Sequence, residues 1–198
     1  VLLVQPAGGI HARILLDRGL DIGAAWYCGY PVAWLSASGE QKCGFTDAAE
    51  GWNRGWAGGL VTTCGLHNVG RPDEGFGRHG TFTEQSAHNV KVSHNLSSND
   101  KGEIVVEADI HDYAGKERGL SLHREMRFHI GSGLVEICDT TFNESEVDLQ
   151  APILYHVNFG FPFLAPDSAT SGNILYSNIS PSTCIENSQD YGFNSKMG

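Results

Sequence analysis

Alternation of polar with apolar side chains, broken again and again by glycine, limits this chain more than any other feature. A period of two is the period of a strand, because successive side chains leave a strand on opposite faces. Residues 89–94 (Asn-Val-Lys-Val-Ser-His) alternate in this way, and residues 104–110 read as a second strand. Residues 120–130 place Leu122, Arg124, Met126 and Phe128 on one face, and 134–142 follow after a Gly131-Ser132-Gly133 turn. Shorter apolar runs stand at 12–16, 25–28, 32–35 and 60–64, with residues 17–23 read as a turn and Gly29-Tyr30-Pro31 as a hairpin connection. No segment carries an i, i+3, i+4, i+7 apolar stripe, and 25 glycines in 198 residues are nearly twice the usual share. The expectation is a mainly β, antiparallel sandwich or barrel built as one domain over 1–198.

The chain is 40% apolar and 18% charged, too apolar and too weakly charged to stay a solvated coil. Its formal charge of −10, with no basic cluster, speaks against nucleic acid and against anionic membrane surfaces. No run approaches the roughly twenty apolar residues of a membrane helix. A neutral or weakly charged small molecule is the expected ligand. Nine histidines, four tryptophans and many asparagines suit a sugar, since rings stack on C–H faces while amides and imidazoles read hydroxyls. The cysteines, Cys28, Cys43, Cys64, Cys138 and Cys184, form no CxxC pair, and an odd count suits reduced thiols in the cytoplasm. The first residue is not Met, so the chain is expected to open inside a processed or longer protein.

Three constellations could carry chemistry. The stretch 65–80 has almost no periodicity, is rich in Gly, Asn, Arg, Asp and His, and ends in Arg78-His79-Gly80; ordered loops of this kind are where function concentrates. In Leu154-Tyr155-His156-Val157-Asn158-Phe159-Gly160, strand alternation puts His156 and Asn158 on one face, as a pair able to read hydroxyls or as a hydrogen-bonded core pair. Thr62-Thr63-Cys64-Gly65-Leu66-His67-Asn68 runs from a strand into the loop, with Cys64 read as core. His123 and His129 share a strand face but stand roughly 20 Å apart, too far for one metal ion. There is no HxH pair, no phosphate loop and no GxSxG elbow, so neither metal nor cofactor is expected.

The order of these motifs resembles the aldose 1-epimerase (galactose mutarotase-like) superfamily, closest to its DUF4432 branch. A Gly58-Gly59 strand preceded by Trp52, then Thr62-Thr63-Cys64-Gly65-Leu66, Asn68, His79-Gly80 and finally Tyr155-His156-Val157-Asn158-Phe159-Gly160 carry the likeness, with Arg18 to Ile22 as a further match. The resemblance implies a β-supersandwich holding a sugar on a concave face, and interconversion of its anomers by acid–base catalysis. It assigns His156 as general acid and His79 to the ring oxygen and hydroxyls, with Asn68, Arg71 and Asn158 as further hydroxyl contacts. Thr81 stands where this branch is expected to carry Arg. The resemblance places the catalytic Glu beyond Gly198, so these residues are expected to be the N-terminal and central part of the domain, with residual anomerisation at most. A non-catalytic carbohydrate-binding module on the same fold is the other reading.

Overall fold

The computed structural model describes residues 1–40, 52, 55–73, 75–96, 102–113 and 119–164. Ten strands are formed there: β1 (Leu2–Val4), β2 (Ile10–Leu15), β3 (Asp21–Tyr27), β4 (Tyr30–Pro31), β5 (Val61–Cys64), β6 (Ala87–Leu96), β7 (Gly102–Tyr113), β8 (Gly119–His129), β9 (Val135–Asn143) and β10 (Leu154–Val157). A short 3-10 turn, Phe82–Glu84, separates β5 from β6. Every pairing between strands is antiparallel. One sheet runs β1-β2-β3-β5-β10 with β4 beside β3; the other is the meander β6-β7-β8-β9.

Strand alternation builds the core. Val106, Ala108 and Ile110 of β7 and Leu122, Met126 and Phe128 of β8 turn the same way, against Ile14, Ile22 and Val61 of the first sheet and Leu20 of the turn between β2 and β3. Phe82 is wholly buried among them. Two boundaries differ from the sequence reading. Tyr30 and Pro31 form β4, opposite Trp26 and Tyr27, and the turn is the pair Cys28-Gly29, both at positive φ (51° and 82°). That is the backbone a two-residue hairpin loop requires. The 17–23 turn likewise ends at Leu20, because Asp21 already belongs to β3 and is buried there.

Asp21 opens a polar clasp between the sheets. Its carboxylate accepts hydrogen bonds from the Thr63 amide (3.0 Å) and the Thr83 hydroxyl (2.9 Å), and lies 3.3 Å from Arg124. Arg124, fully buried on β8, donates to both oxygens of Asp139 (2.9 and 2.6 Å), to the Gly19 carbonyl (3.1 Å) and to the Thr63 hydroxyl (2.9 Å). From β10, the Tyr155 hydroxyl donates to Asp139 at 2.7 Å. Burial pushes the Asp21 carboxyl above its ordinary range, although Arg124 and the hydroxyls pull it down. Burial pushes Arg124 down in turn, but its bonds and charge contacts with Asp139, joined by Asp21, more than offset this and hold it above its ordinary value. The guanidinium therefore stays charged inside the protein. A buried charge persists only when it is paired and hydrogen-bonded, as this one is.

Candidate functional site

Chain geometry in the 65–80 loop sets His79. The Asn68 side chain donates to the carbonyls of Arg71 (2.8 Å) and Gly77 (2.9 Å), drawing the loop into a compact coil. The Gly65 amide donates to the His79 carbonyl (3.1 Å), and the His79 amide to that of Gly70 (3.0 Å). Gly80 lies at φ 72°, and a side chain there would fall 2.6 Å from the Asn68 carbonyl and collide with that of Gly65. Glycine is thus required for the two ends of the loop to meet. Beneath the loop sits buried Asp112, which accepts from the Leu66 amide (2.9 Å) and the Thr81 hydroxyl (2.8 Å). Burial raises its pKa, and those two bonds hold it partly in check. Thr81, at the position where arginine was expected, fastens the loop to β7.

His156 comes from the other end of the chain. In β10 it stands opposite Thr62 of β5. Its neighbour Asn158 donates its amide to the carbonyls of Gly59 (2.9 Å) and His156 (3.1 Å), so that NH2 group is spent on backbone.

The two histidines meet, with ring centroids 6.3 Å apart at an interplanar angle of 80°. Tryptophans wall the pair. Trp52 lies 4.7 Å from His79 and 6.4 Å from His156, and Trp56 lies 5.1 Å from His156. Trp34 packs 5.0 Å from Trp56, which is also 6.0 Å from Trp52. The Trp56 amide donates to the Trp52 carbonyl (2.8 Å), and the Trp56 carbonyl accepts from Ser36 (2.5 Å). Sequence reasoning took Trp52 only as part of a family pattern and gave Trp34 and Trp56 no role at the site. Their spacing on either side of Gly58-Gly59 was the available clue, for Gly58 lies against the Trp34 ring.

Burial, then His156 and Arg78, lower the pKa of His79 to about 4. At neutral pH its imidazole is uncharged. Its Nδ1 accepts from the Gly70 amide at 3.1 Å, so the proton sits on Nε2 and that edge is a hydrogen-bond donor. The His156 Nδ1 and the indole nitrogen of Trp56, whose ring meets His156, are buried with no hydrogen-bond partner, as is the Nε of Arg78, the residue before His79. Buried polar groups in native proteins are nearly always satisfied, so orphans on His156 and on the ring against it mark a place where something else supplies the partners.

None of the remaining candidates bonds to or stacks on either imidazole. Arg71 is exposed, and its carbonyl rather than its guanidinium enters the loop network. Asn68 lines a separate cleft of about 430 Å3 together with His67, Asp73 and Asp148. His123 and His129 pair with Asp109 (2.8 Å) and Glu136 (2.6 Å). Cys64 is buried in β5, its thiol pushed up to about 12 by burial and by Asp21. Among the described residues no group of three His, Cys, Asp or Glu could hold a metal ion, and no helix is long and apolar enough to cross a membrane.

Two antiparallel sheets with a histidine pair contributed by β10 and the loop after β5 define a galactose mutarotase-like β fold. The solved structure of a Klebsiella pneumoniae subsp. pneumoniae MGH 78578 protein, provisionally designated an aldose 1-epimerase, superposes with a TM-score of 0.70 at 21% identity. The match covers 82% of this chain and 44% of that one, so the chain spans less than half the length of its structural relative. The family itself is plain: residues 1–191 match the model of the domain of unknown function DUF4432, and the chain belongs to that family. Comparison with functionally curated proteins found no match.

Proposed function

We propose that this chain carries the acid half of an aldose 1-epimerase-like site that interconverts sugar anomers. One observation carries the reading: His79 and His156, 77 positions apart in sequence, meet inside a wall of tryptophans with hydrogen-bonding valences left open. Indole rings stack on the C–H faces of a pyranose, and the open imidazole edges read its oxygens. His156 protonates the ring oxygen while a base takes the anomeric hydroxyl proton. The C1–O5 bond breaks to give the open-chain aldehyde, C1 rotates, and the ring closes on its other face with both protons returned. Neutral His79 donates from Nε2 to a sugar oxygen and steadies the ring. The base is a carboxylate that the matched motifs do not contain. Exposed thiols at Cys28 and Cys138 fit a reducing compartment, in keeping with a cytoplasmic protein.

Among the described residues no carboxylate bonds to either histidine, which favours a non-catalytic carbohydrate-binding module as the second reading. NMR exchange spectroscopy on the anomers of D-glucose and D-galactose separates the two. Residual acceleration over the buffer rate should appear, and His156→Asn should return exchange to the buffer rate. Sugar quenching of tryptophan fluorescence should persist in that variant. Exchange that His156→Asn leaves untouched refutes the acid assignment. Saturable binding without exchange supports the binding module.

A further inference from the structure

In a chain with 23 acids against 13 bases, an arginine readily finds a carboxylate. Arg13 pairs with Glu40 (2.8 Å), Arg124 with Asp21 and Asp139, and Arg127 with Glu103 and Glu125 (2.7 and 2.6 Å). Arg71 and Arg78 pair with no carboxylate among the described residues; Arg71 is exposed, whereas Arg78 is only partly exposed and its Nε is buried without a hydrogen-bond partner. Arg78 directly precedes His79, and its charge reaches the His79 imidazole through space. The Trp56 indole N–H, also orphaned, belongs to a ring 5.1 Å from His156. The unpartnered groups are therefore the Arg78 Nε–H, the Trp56 indole N–H, the Nε2–H of neutral His79 and the His156 Nδ1, so donors outnumber acceptors three to one even with His156 accepting. A neutral hydroxyl needs acceptors as much as donors; a carboxylate or phosphate needs donors alone. A guanidinium nitrogen buried without a partner is costly unless a ligand completes it.

We propose that the sugar bound between His79 and His156 carries an anionic substituent, a carboxylate or a phosphate, and that Arg78 receives it. This rests on the sugar-site reading above and replaces the neutral ligand expected from composition. The overall charge of −10 repels anions in general, so any preference for an acidic sugar must arise locally.

Binding tests the proposal without requiring turnover. D-Glucose, sodium D-glucuronate and D-glucose 6-phosphate are titrated by calorimetry and by tryptophan fluorescence. At least one acidic sugar should bind about 10-fold or more tightly than glucose, the range of one added hydrogen bond to a charged group. Which of the two binds tighter identifies carboxylate or phosphate. Arg78→Gln should erase the preference and Arg78→Lys keep part of it, with far-UV circular dichroism confirming the fold of each. Glucose bound as tightly as both acids, or a preference that survives Arg78→Gln, overturns the inference and leaves the sugar site standing. No binding of any of the three overturns both.

Discussion

Replacing Arg124 by methionine removes the cation at the centre of the clasp and leaves the apolar stem in place. Asp21 is then a buried carboxylate with two hydrogen bonds and no counter-charge, while Asp139 keeps its bond to Tyr155. Removing one member of a buried ion pair costs about 3–5 kcal/mol. With a urea dependence of about 2 kcal/mol per M, the unfolding midpoint should fall by roughly 2 M. The sign of the pH dependence follows from Asp21. Its pKa is already raised by burial, and losing Arg124 removes the main opposing pull, so it rises further. A carboxyl raised in the folded state favours folding at low pH, and that contribution is lost as pH climbs through the folded value. The deficit of Arg124→Met should therefore be smaller at pH 5 than at pH 8. Adding Asp21→Asn should recover part of it at pH 8. Urea unfolding followed by tryptophan fluorescence, at both pH values, measures all three proteins. A loss below about 1 kcal/mol, an identical deficit at the two pH values, or no recovery with Asp21→Asn would refute the account of the clasp as a charge-compensated unit.

Two further outcomes are expected. His79 has a folded pKa of about 4 against an ordinary 6.5, so the unfolded chain binds more protons between those values and stability must fall as pH drops through that window. His79→Gln should lose less stability than wild type between pH 6.5 and 4 in the same urea titration, and equal losses would count against a buried neutral imidazole. Cys64, buried with its thiol pushed up to about 12, should resist iodoacetamide at pH 7.5 in the native protein while exposed Cys28 and Cys138 are alkylated, as peptide mapping by mass spectrometry would report.

Much of the fold was readable because strand alternation is a local property. The four long strands of the meander follow the runs at 89–94, 104–110, 120–130 and 134–142 closely. Where the reading slipped, a long-range partner decided. Asp21 looks like a turn residue until Thr63, Thr83 and Arg124 surround it, and all three come from distant segments. Arg124 itself fell on the apolar face of its strand by alternation, and a charge in that company was the clue to a buried clasp. His79 and His156 were found from the order of motifs, since no spacing rule links residues so far apart. Asn68 and Asn158 both spend their amide NH2 groups on nearby carbonyls, a choice that depends on how the loop and strands meet.

The two sheets also differ in how they can come into being. The meander joins neighbours in sequence, so each pairing closes a short loop and can form early. The other sheet places β10 beside β5, and the bond from Asn158 to Gly59 ties positions 99 residues apart. Closing a loop of that length costs entropy before any contact repays it. A formed meander shortens that loop by condensing the chain between β5 and β10, which lowers the entropic cost of bringing the two histidines together. Until β10 docks beside β5, His79 and His156 lie on segments of the chain that nothing holds together.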